Sequence, residues 1–368
     1  MKYYIISGEA SGDLHGATLV KHLKSYDKNT DVRAWGGELL KDQGAKIVKH
    51  YKDLAFMGFF EVVKNIFTII KNLNFCKKDI KEYNPDVLIL IDYPGFNLRI
   101  AKWAKTKGFT VHYYICPQVW AWKENRLKQM EKSIDYLYCI LPFEKKFVED
   151  RTKIKVDYVG HPLIDEIKNF RKNIDSSFRT KNNLPLNKTL IALLPGSRKQ
   201  EVQKILEIMI ETSRKFPEYC FVIAAAPNLD DKLFVNRNVH VIKNSTYDLL
   251  SHSDAAFVAS GTATLETALF KVPQIVCYKT SKLNYLIAKK IIKLRFISLV
   301  NLIFNEEMVK ERVQDSCNSK NLANDLKKLI DNSKNKSHKN YMTKLEKLLG
   351  KGGASNKVAN LIYTRTRA

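Results

Sequence analysis

Two short apolar runs, Leu190–Leu194 and Ala255–Ala259, each break into a glycine turn and then a helical pattern, reading LPGSR and SGTATLE. A buried strand that turns within a few residues into a helix is the unit of a parallel sheet, because parallel neighbours need a crossover that a helix supplies. This restricts the chain to the α/β class. The same geometry aims free backbone N–H groups at one spot, and the helix dipole adds partial positive charge there, which suits a phosphate. Arg198, closing the first motif, can fork two hydrogen bonds onto the same anion. Gly196, Ser197 and Arg198 from one turn, with Ser260, Gly261, Thr262 and Thr264 from the other, describe a nucleotide-diphosphate cradle. Glu266, about one helical turn further on, can accept from paired ribose hydroxyls. The competing reading makes Ser260 a helix N-cap and Arg198 a solvated loop residue.

The alternation runs through the whole chain. Strands are expected at Tyr3–Ser7, Val32–Trp35, Val87–Ile91, Val111–Ile115, Tyr136–Ile140 and Lys155–Val159. A polar segment, Asp165–Asn187, follows, and then a second series at Leu190–Leu194, Phe221–Ala225, His240–Ile242, Ala255–Ala259 and Gln274–Cys277. At 368 residues the chain is long enough for two cores. The expected organisation is two Rossmann-like domains, 1–175 and 176–335, with a nucleotide-sugar cleft between them. A helical tail, 336–368, either packs back or is exchanged between protomers.

Composition narrows the partners. Lys and Arg number 62 against 38 Asp and Glu, a net charge of +24, which favours nucleic acid, an anionic membrane or phosphorylated substrates. The six cysteines form no CxxC and mostly sit in apolar runs, as buried thiols of a reducing compartment do. No signal peptide precedes the first strand, and no run approaches the roughly 18 apolar residues of a membrane span, so a cytoplasmic protein is expected.

The turn SGEASGDLHG, Ser7–Gly16, carries Glu9, Asp13 and His15 at the end of the first strand. Its glycine spacing is not GxGxxG, and neither GxxxxGK nor HExxH occurs, which argues against nicotinamide, P-loop and zinc-protease chemistry. Asp13 can instead cap the following helix. Asp92 ends the run Val87–Ile91 within DYPGFN, where a strand end faces the ligand crevice of an open sheet. Desolvation there would raise its pKa and suit it as a base; a capping Asp before a proline turn is the alternative. Trp120 and Trp122, with Gln118 and Arg126, form either a sugar-binding wall or core packing.

Two basic amphipathic segments remain. Met57–Phe75 places Phe59, Phe60 and Phe67 among lysines, and Tyr285–Phe304 carries Lys289, Lys290, Lys293 and Arg295. Such segments lie in the interface of anionic bilayers, or else pack on a core with lysines outward. The excess charge is mostly Lys, without the aromatic-basic motifs of RNA readers, so a nucleic-acid partner is not expected.

SGEASGD, MGFFEV, DYPGFN, PQVWAW, LPFE, VGHPL, LPGSR and SGTATLE occur in this order from Ser7 to Glu266. In this combination the chain closely resembles the lipid-A-disaccharide synthases, family-19 glycosyltransferases of GT-B fold. The resemblance implies transfer of diacylglucosamine from UDP-2,3-diacylglucosamine onto lipid X, 2,3-diacylglucosamine 1-phosphate. The product would be a β-1,6 disaccharide plus UDP, with inversion and without metal or cofactor. It further implies a peripheral protein on the cytoplasmic face of the inner membrane and, in some members, a homodimer. Residue by residue, it makes Asp92 the important strand-end carboxylate, Arg198 a nucleotide ligand and Asn301 a nucleotide-site asparagine. Many relatives carry a second Asp where this chain has Gly95, so that carboxylate has no counterpart here. Some carry an apolar residue in place of His15, which leaves Asp92 ahead of His15 and Glu9. The alternatives to this reading are another GT-B transferase, a UDP-GlcNAc epimerase, or a non-catalytic RNA-binding protein.

Overall fold

The run VLILI, Val87–Ile91, is buried at every residue, and so are LIALL, Leu190–Leu194, and AAFVA, Ala255–Ala259. Runs of this kind have two apolar faces and need helices on both. Each fully buried Leu, Ile or Val contributes about 1.5–3 kcal/mol of transfer free energy, so these strands centre two cores. A computed structural model describes residues 1–54, 66–122, 124–227, 229–234, 239–291, 294–332 and 336–367.

The chain divides into two compact units, Met1–Pro162 with Leu349–Ala368, and Leu163–Leu348. The first contains strands β1 (Lys2–Ser7), β2 (Asp31–Gly36), β3 (Lys46–His50), β4 (Val87–Ile91), β5 (Val111–Tyr114), β6 (Tyr136–Cys139) and β7 (Lys155–Tyr158). They form a seven-stranded parallel sheet in the order β3-β2-β1-β4-β5-β6-β7. The second contains β8 (Leu190–Leu194), β9 (Cys220–Ala225), β10 (His240–Lys243), β11 (Ala255–Ala259), β12 (Gln274–Tyr278) and β13 (Lys310–Val313). Its sheet is six-stranded and parallel, ordered β10-β9-β8-β11-β12-β13. In both sheets the chain winds one way from a central strand, returns, and winds the other way. The switch points lie between β1 and β4 and between β8 and β11, where crevices open at the strand C-termini.

Two strands escape the sequence pattern. Both β3, KIVKH, and β13, KERV, are edge strands with half-exposed polar side chains, so they lack the continuous apolar run of interior strands. The expected boundaries at 175 and 335 are displaced. The helix Leu163–Phe170 belongs to the second unit, where the Phe170 ring meets Tyr247 edge-on at 5.3 Å and Phe270 at 5.9 Å. The helix Lys336–Leu349 also stays largely there, with Tyr341 against Phe304 and Glu346 beside Arg171. Only the last helix, Ala354–Arg367, returns to the first unit. Val358, Ala359 and Ile362 bury against Leu19, Val20 and Leu23 of the helix Ala10–Tyr26, and Arg365 pairs with Asp157 at 2.7 Å. Among the described residues no helix is long and apolar enough to cross a membrane.

Candidate active site

In the first unit the switch point brings together the turns after β1 and β4. Asp92 and Tyr93 both adopt left-handed backbone, at φ +45° and +48°, a conformation that non-glycine residues hold only when their surroundings impose it. The clamp is visible. The Asp92 N–H donates to Tyr114 O at 3.0 Å, and its carbonyl accepts from Tyr113 Oη at 2.5 Å and Asn97 Nδ2 at 2.8 Å. Asn97 also donates to Ile91 O at 3.2 Å. The Tyr93 ring is pressed against Gly8, where a Cβ would lie 2.4 Å from ring carbons, so this close approach requires glycine.

Burial, and secondarily the charge of Glu9, push the Asp92 carboxyl up to about 6. This is the environment of a general base poised near neutrality. Burial pushes His15 down to about 4, so its imidazole is neutral and a weak base at pH 7. Asp13 does not cap its own helix. Its buried carboxylate accepts from Gly37 N at 2.7 Å, Leu39 N at 3.1 Å and Leu40 N at 3.2 Å, tying the first turn to the short helix after β2.

Asp92, Pro94, Pro117, Gln118, Val119, Trp122 and Arg126 line a pocket of about 180 Å³. The two tryptophans part company. Trp122 is exposed at the pocket, with the Arg126 guanidinium 5.7 Å from its ring centre. Trp120 turns inward, donating to Glu144 Oε1 at 2.9 Å and meeting Phe143 edge-on at 5.0 Å. Glu144, only 1% exposed, also accepts from Ile140 N and Leu141 N, and burial pushes it up to about 7. It therefore pins the Pro117–Trp120 loop to the end of β6, a role that the motif LPFE does not announce. Among the described residues, Cys116, Cys139 and Glu144 bring ligand-type atoms within 4.8 Å of one another. All three are buried in the core, and the carboxylate is already engaged by three N–H donors.

In the second unit β8 and β11 pair directly, so the turns LPGSR and SGTATLE are neighbours at the switch point. Gly196 takes φ +112°, and Gly261 has open space where a side chain would be. Arg198 stands at the N-cap position of the helix Lys199–Ser213 without a side-chain capping bond, its side chain 71% exposed and 3.2 Å from Glu201 Oε1. Gly261 and Thr262 are exposed, whereas the buried Thr264 spends its hydroxyl on Gly261 O at 2.8 Å. The Ser260 hydroxyl donates to Ile297 O at 2.8 Å instead of capping its helix. Glu266 is pushed up to about 7 by burial and by Glu166, whose Oε1 accepts from Tyr247 Oη at 2.9 Å.

Asn301, by resemblance a nucleotide-site asparagine, spends its amide within the protein. It is fully buried; its Nδ2 donates to Val309 O and Glu311 Oε1, and its Oδ1 accepts from Met308 N and Val309 N. Glu311 in turn accepts from Ile297 N and Ser298 N. Asn301 thus braces, at second hand, the segment that Ser260 holds.

Of the two amphipathic segments, Phe59, Phe60 and Lys293 lie outside the described residues. The helix Ile66–Tyr83 is anchored by buried Cys76, Asp79 and Ile80, with Asp79 Oδ2 accepting from Tyr4 Oη at 2.6 Å. Its opposite side exposes Ile66, Phe67 and Ile70, with Phe67 84% exposed. Lys289, Lys290 and Arg295 are also exposed.

Comparison with known proteins follows the same lines. Residues 3–362 match the family model described as lipid-A-disaccharide synthetase. A lipid-A-disaccharide synthase from Sulfurihydrogenibium sp. (strain YO3AOP1) is 37% identical, covering 99% of this chain and 98% of its own. The one from Coxiella burnetii (strain CbuK_Q154) is 35% identical, over 98% and 97%. Among solved structures, UDP-GlcNAc 2-epimerase from Neisseria meningitidis bound to UDP-GlcNAc superposes with a TM-score of 0.68 at 16% identity, over 99% of this chain and 100% of its own. The S. aureus MnaA–UDP co-structure superposes at 0.70 with 15% identity, over 100% and 97%. At such identities the structural likeness speaks for the fold, which is GT-B. The family match reaches from β1 to the last helix through both switch-point turns, and the chain belongs to the lipid-A-disaccharide synthase family of glycosyltransferases.

Proposed function

We propose that this chain is an inverting transferase that joins UDP-2,3-diacylglucosamine to lipid X, forming the β-1,6 disaccharide 1-phosphate and releasing UDP. The observation that carries this reading is the clamped, desolvated Asp92 at the mouth of a sugar-sized pocket. Asp92 takes the proton of the acceptor's 6-hydroxyl as that oxygen attacks the anomeric carbon of the donor. The bond from that carbon to the β-phosphate oxygen breaks on the opposite face, which inverts the centre. Negative charge develops on the departing UDP, and Arg198 with the backbone N–H groups of Gly196–Ser197 and Gly261–Thr262 offers preorganised positive potential there. Glu266 accepts the ribose hydroxyls. Ser260 and Asn301 support the nucleotide turn, and Thr264 its geometry, without touching the ligand. Glu9 raises Asp92, and His15 stays a neutral ring, edge-on to Tyr114. Gln118 and Trp122 form the acceptor wall, with Trp120 behind it.

Both substrates are diacylated, and each buried methylene holds them to a bilayer with about 0.8 kcal/mol. The exposed row Ile66, Phe67 and Ile70 of the first unit supports docking on the anionic inner-membrane surface, and so, separately, do Lys289, Lys290 and Arg295 of the second, each cation adding about 1 kcal/mol. The test is incubation with UDP-2,3-diacylglucosamine and lipid X, followed by mass spectrometry. Disaccharide and stoichiometric UDP are expected. UDP-GlcNAc conversion to its 2-epimer, with no disaccharide, would replace this reading by the epimerase one.

A further inference from the structure

Arg126 opens the helix Arg126–Ser133 and lies over the exposed Trp122 ring, 5.7 Å from its centre. A guanidinium held over an aromatic face keeps N–H edges that can fork onto an oxyanion. The nearest acidic residue in sequence, Glu124, is occupied by Arg151 at 2.8 Å, and among the described residues Arg126 forms no ion pair. It lines the same pocket as Asp92, between the apolar walls of Pro94, Pro117 and Val119. At about 180 Å³ this pocket is smaller than the roughly 300–1,000 Å³ that holds a whole drug-sized ligand, so it takes one sugar ring with a small substituent. A cation without a counterion among the described residues and a carboxylate at a strand end therefore line one sugar-sized pocket.

We propose that Arg126 recognises the phosphomonoester on the anomeric carbon of the acceptor, so that the enzyme selects phosphorylated over unphosphorylated acceptor sugars. This rests on the acceptor reading given above. A ring whose 6-hydroxyl meets Asp92 carries its anomeric substituent just across the ring oxygen, within the same pocket that Arg126 lines. A phosphomonoester there carries between one and two negative charges near neutrality and offers paired oxygens to the fork. The pyrophosphate of the donor has its own cradle in the second unit, so Arg126 serves the acceptor alone.

The test compares wild type, Arg126→Ala and Arg126→Lys on two acceptors, lipid X and the same diacylglucosamine with a hydroxyl in place of the phosphate. For each enzyme the ratio of kcat/KM between the acceptors is measured, and UDP affinity is measured by calorimetry. Wild type is expected to favour lipid X by roughly 10–100-fold, the size of one charge-assisted interaction. That ratio should fall to near one in Arg126→Ala and to an intermediate value in Arg126→Lys, which keeps the charge without the fork, while UDP affinity stays level. A wild-type ratio preserved in Arg126→Ala overturns the assignment and leaves the transferase reading standing. Loss of UDP affinity in Arg126→Ala also overturns it, placing the residue on the donor. A wild type inert on both acceptors overturns the acceptor reading and this assignment with it.

Discussion

The two switch-point turns solve opposite problems. After β4, Asp92 and Tyr93 occupy left-handed backbone without being glycine, at about 1–3 kcal/mol each, and buried donors from Asn97 and Tyr113 hold them there. After β8 the left-handed position is given to glycine, Gly196, and the charged residue, Arg198, is left largely in solvent. A carboxylate that must stay desolvated and aimed needs a rigid seat, and side-chain clamps provide one. On the proposed reading, the anion cradle works through backbone N–H groups and an exposed cation, Arg198, so it needs room.

If this division of labour is right, the largest effect comes from the rigid side. Asp92→Asn keeps the shape, removes the charge and is expected to lower kcat by about 10²–10⁴-fold with UDP affinity unaltered. In wild type the rate should fall as pH drops through about 6, where Asp92 takes up its proton, and this limb should vanish in Asp92→Asn. The folded pKa lies above the unfolded value of 3.8, so the folded chain binds the extra proton between about pH 4 and 6. This carboxylate therefore costs stability as pH rises through that window. A normal rate in Asp92→Asn would move the chemistry elsewhere in the turn, beginning with Glu9.

Next in size is the open side. Arg198→Ala should weaken UDP by about 1.5–3 kcal/mol, one charge-assisted bond, in calorimetry on a chain of unchanged stability. UDP affinity in wild type should also decline as pH falls through about 7, where Glu266 is protonated and no longer accepts freely from ribose hydroxyls. An unchanged affinity in Arg198→Ala would show that the backbone cradle suffices alone.

Asn97→Ala sharpens the contrast from behind the site. Loss of the donors to Ile91 O and Asp92 O should cost about 1–3 kcal/mol, read from the urea midpoint, and should lower kcat without touching UDP binding. Full stability in this variant would mean that Tyr113 holds the turn by itself. The smallest effect belongs to the surface: Phe67→Ser with Ile70→Ser should reduce co-sedimentation with anionic vesicles at high salt, where the basic residues are screened. Equal sedimentation of variant and wild type would remove this helix from the membrane contact.

How much was legible depended on burial. Interior strands such as VLILI and LIALL announce themselves because both faces are apolar, whereas KIVKH and KERV do not, since an edge strand is half in water. The places of Asp92 and Arg198 at strand-end turns, and of Glu266 inside the helix after β11, are legible because short strand–turn–helix motifs fix them by local geometry alone. The bonding of Asn301 is not legible from its motif, because its partners, Met308, Val309 and Glu311, lie on the chain segment after it. Trp120 and Trp122, two residues apart, could not be assigned sides without knowing that Glu144 lies inside.

Local sequence by itself determined the α/β class, the strand-end turns and the residue types set into them, because each depends on contacts within about ten residues. Tertiary structure alone decided that β1 sits beside β4 and β8 beside β11, which is what brings each pair of turns together. It also decided that Asp13 ties down Gly37–Leu40, that Glu144 holds Trp120, and that the last helix returns to Leu19 and Leu23. The physical reason is the same in each case. A buried polar group must find its partner wherever the fold brings one, and no spacing along the chain encodes that distance.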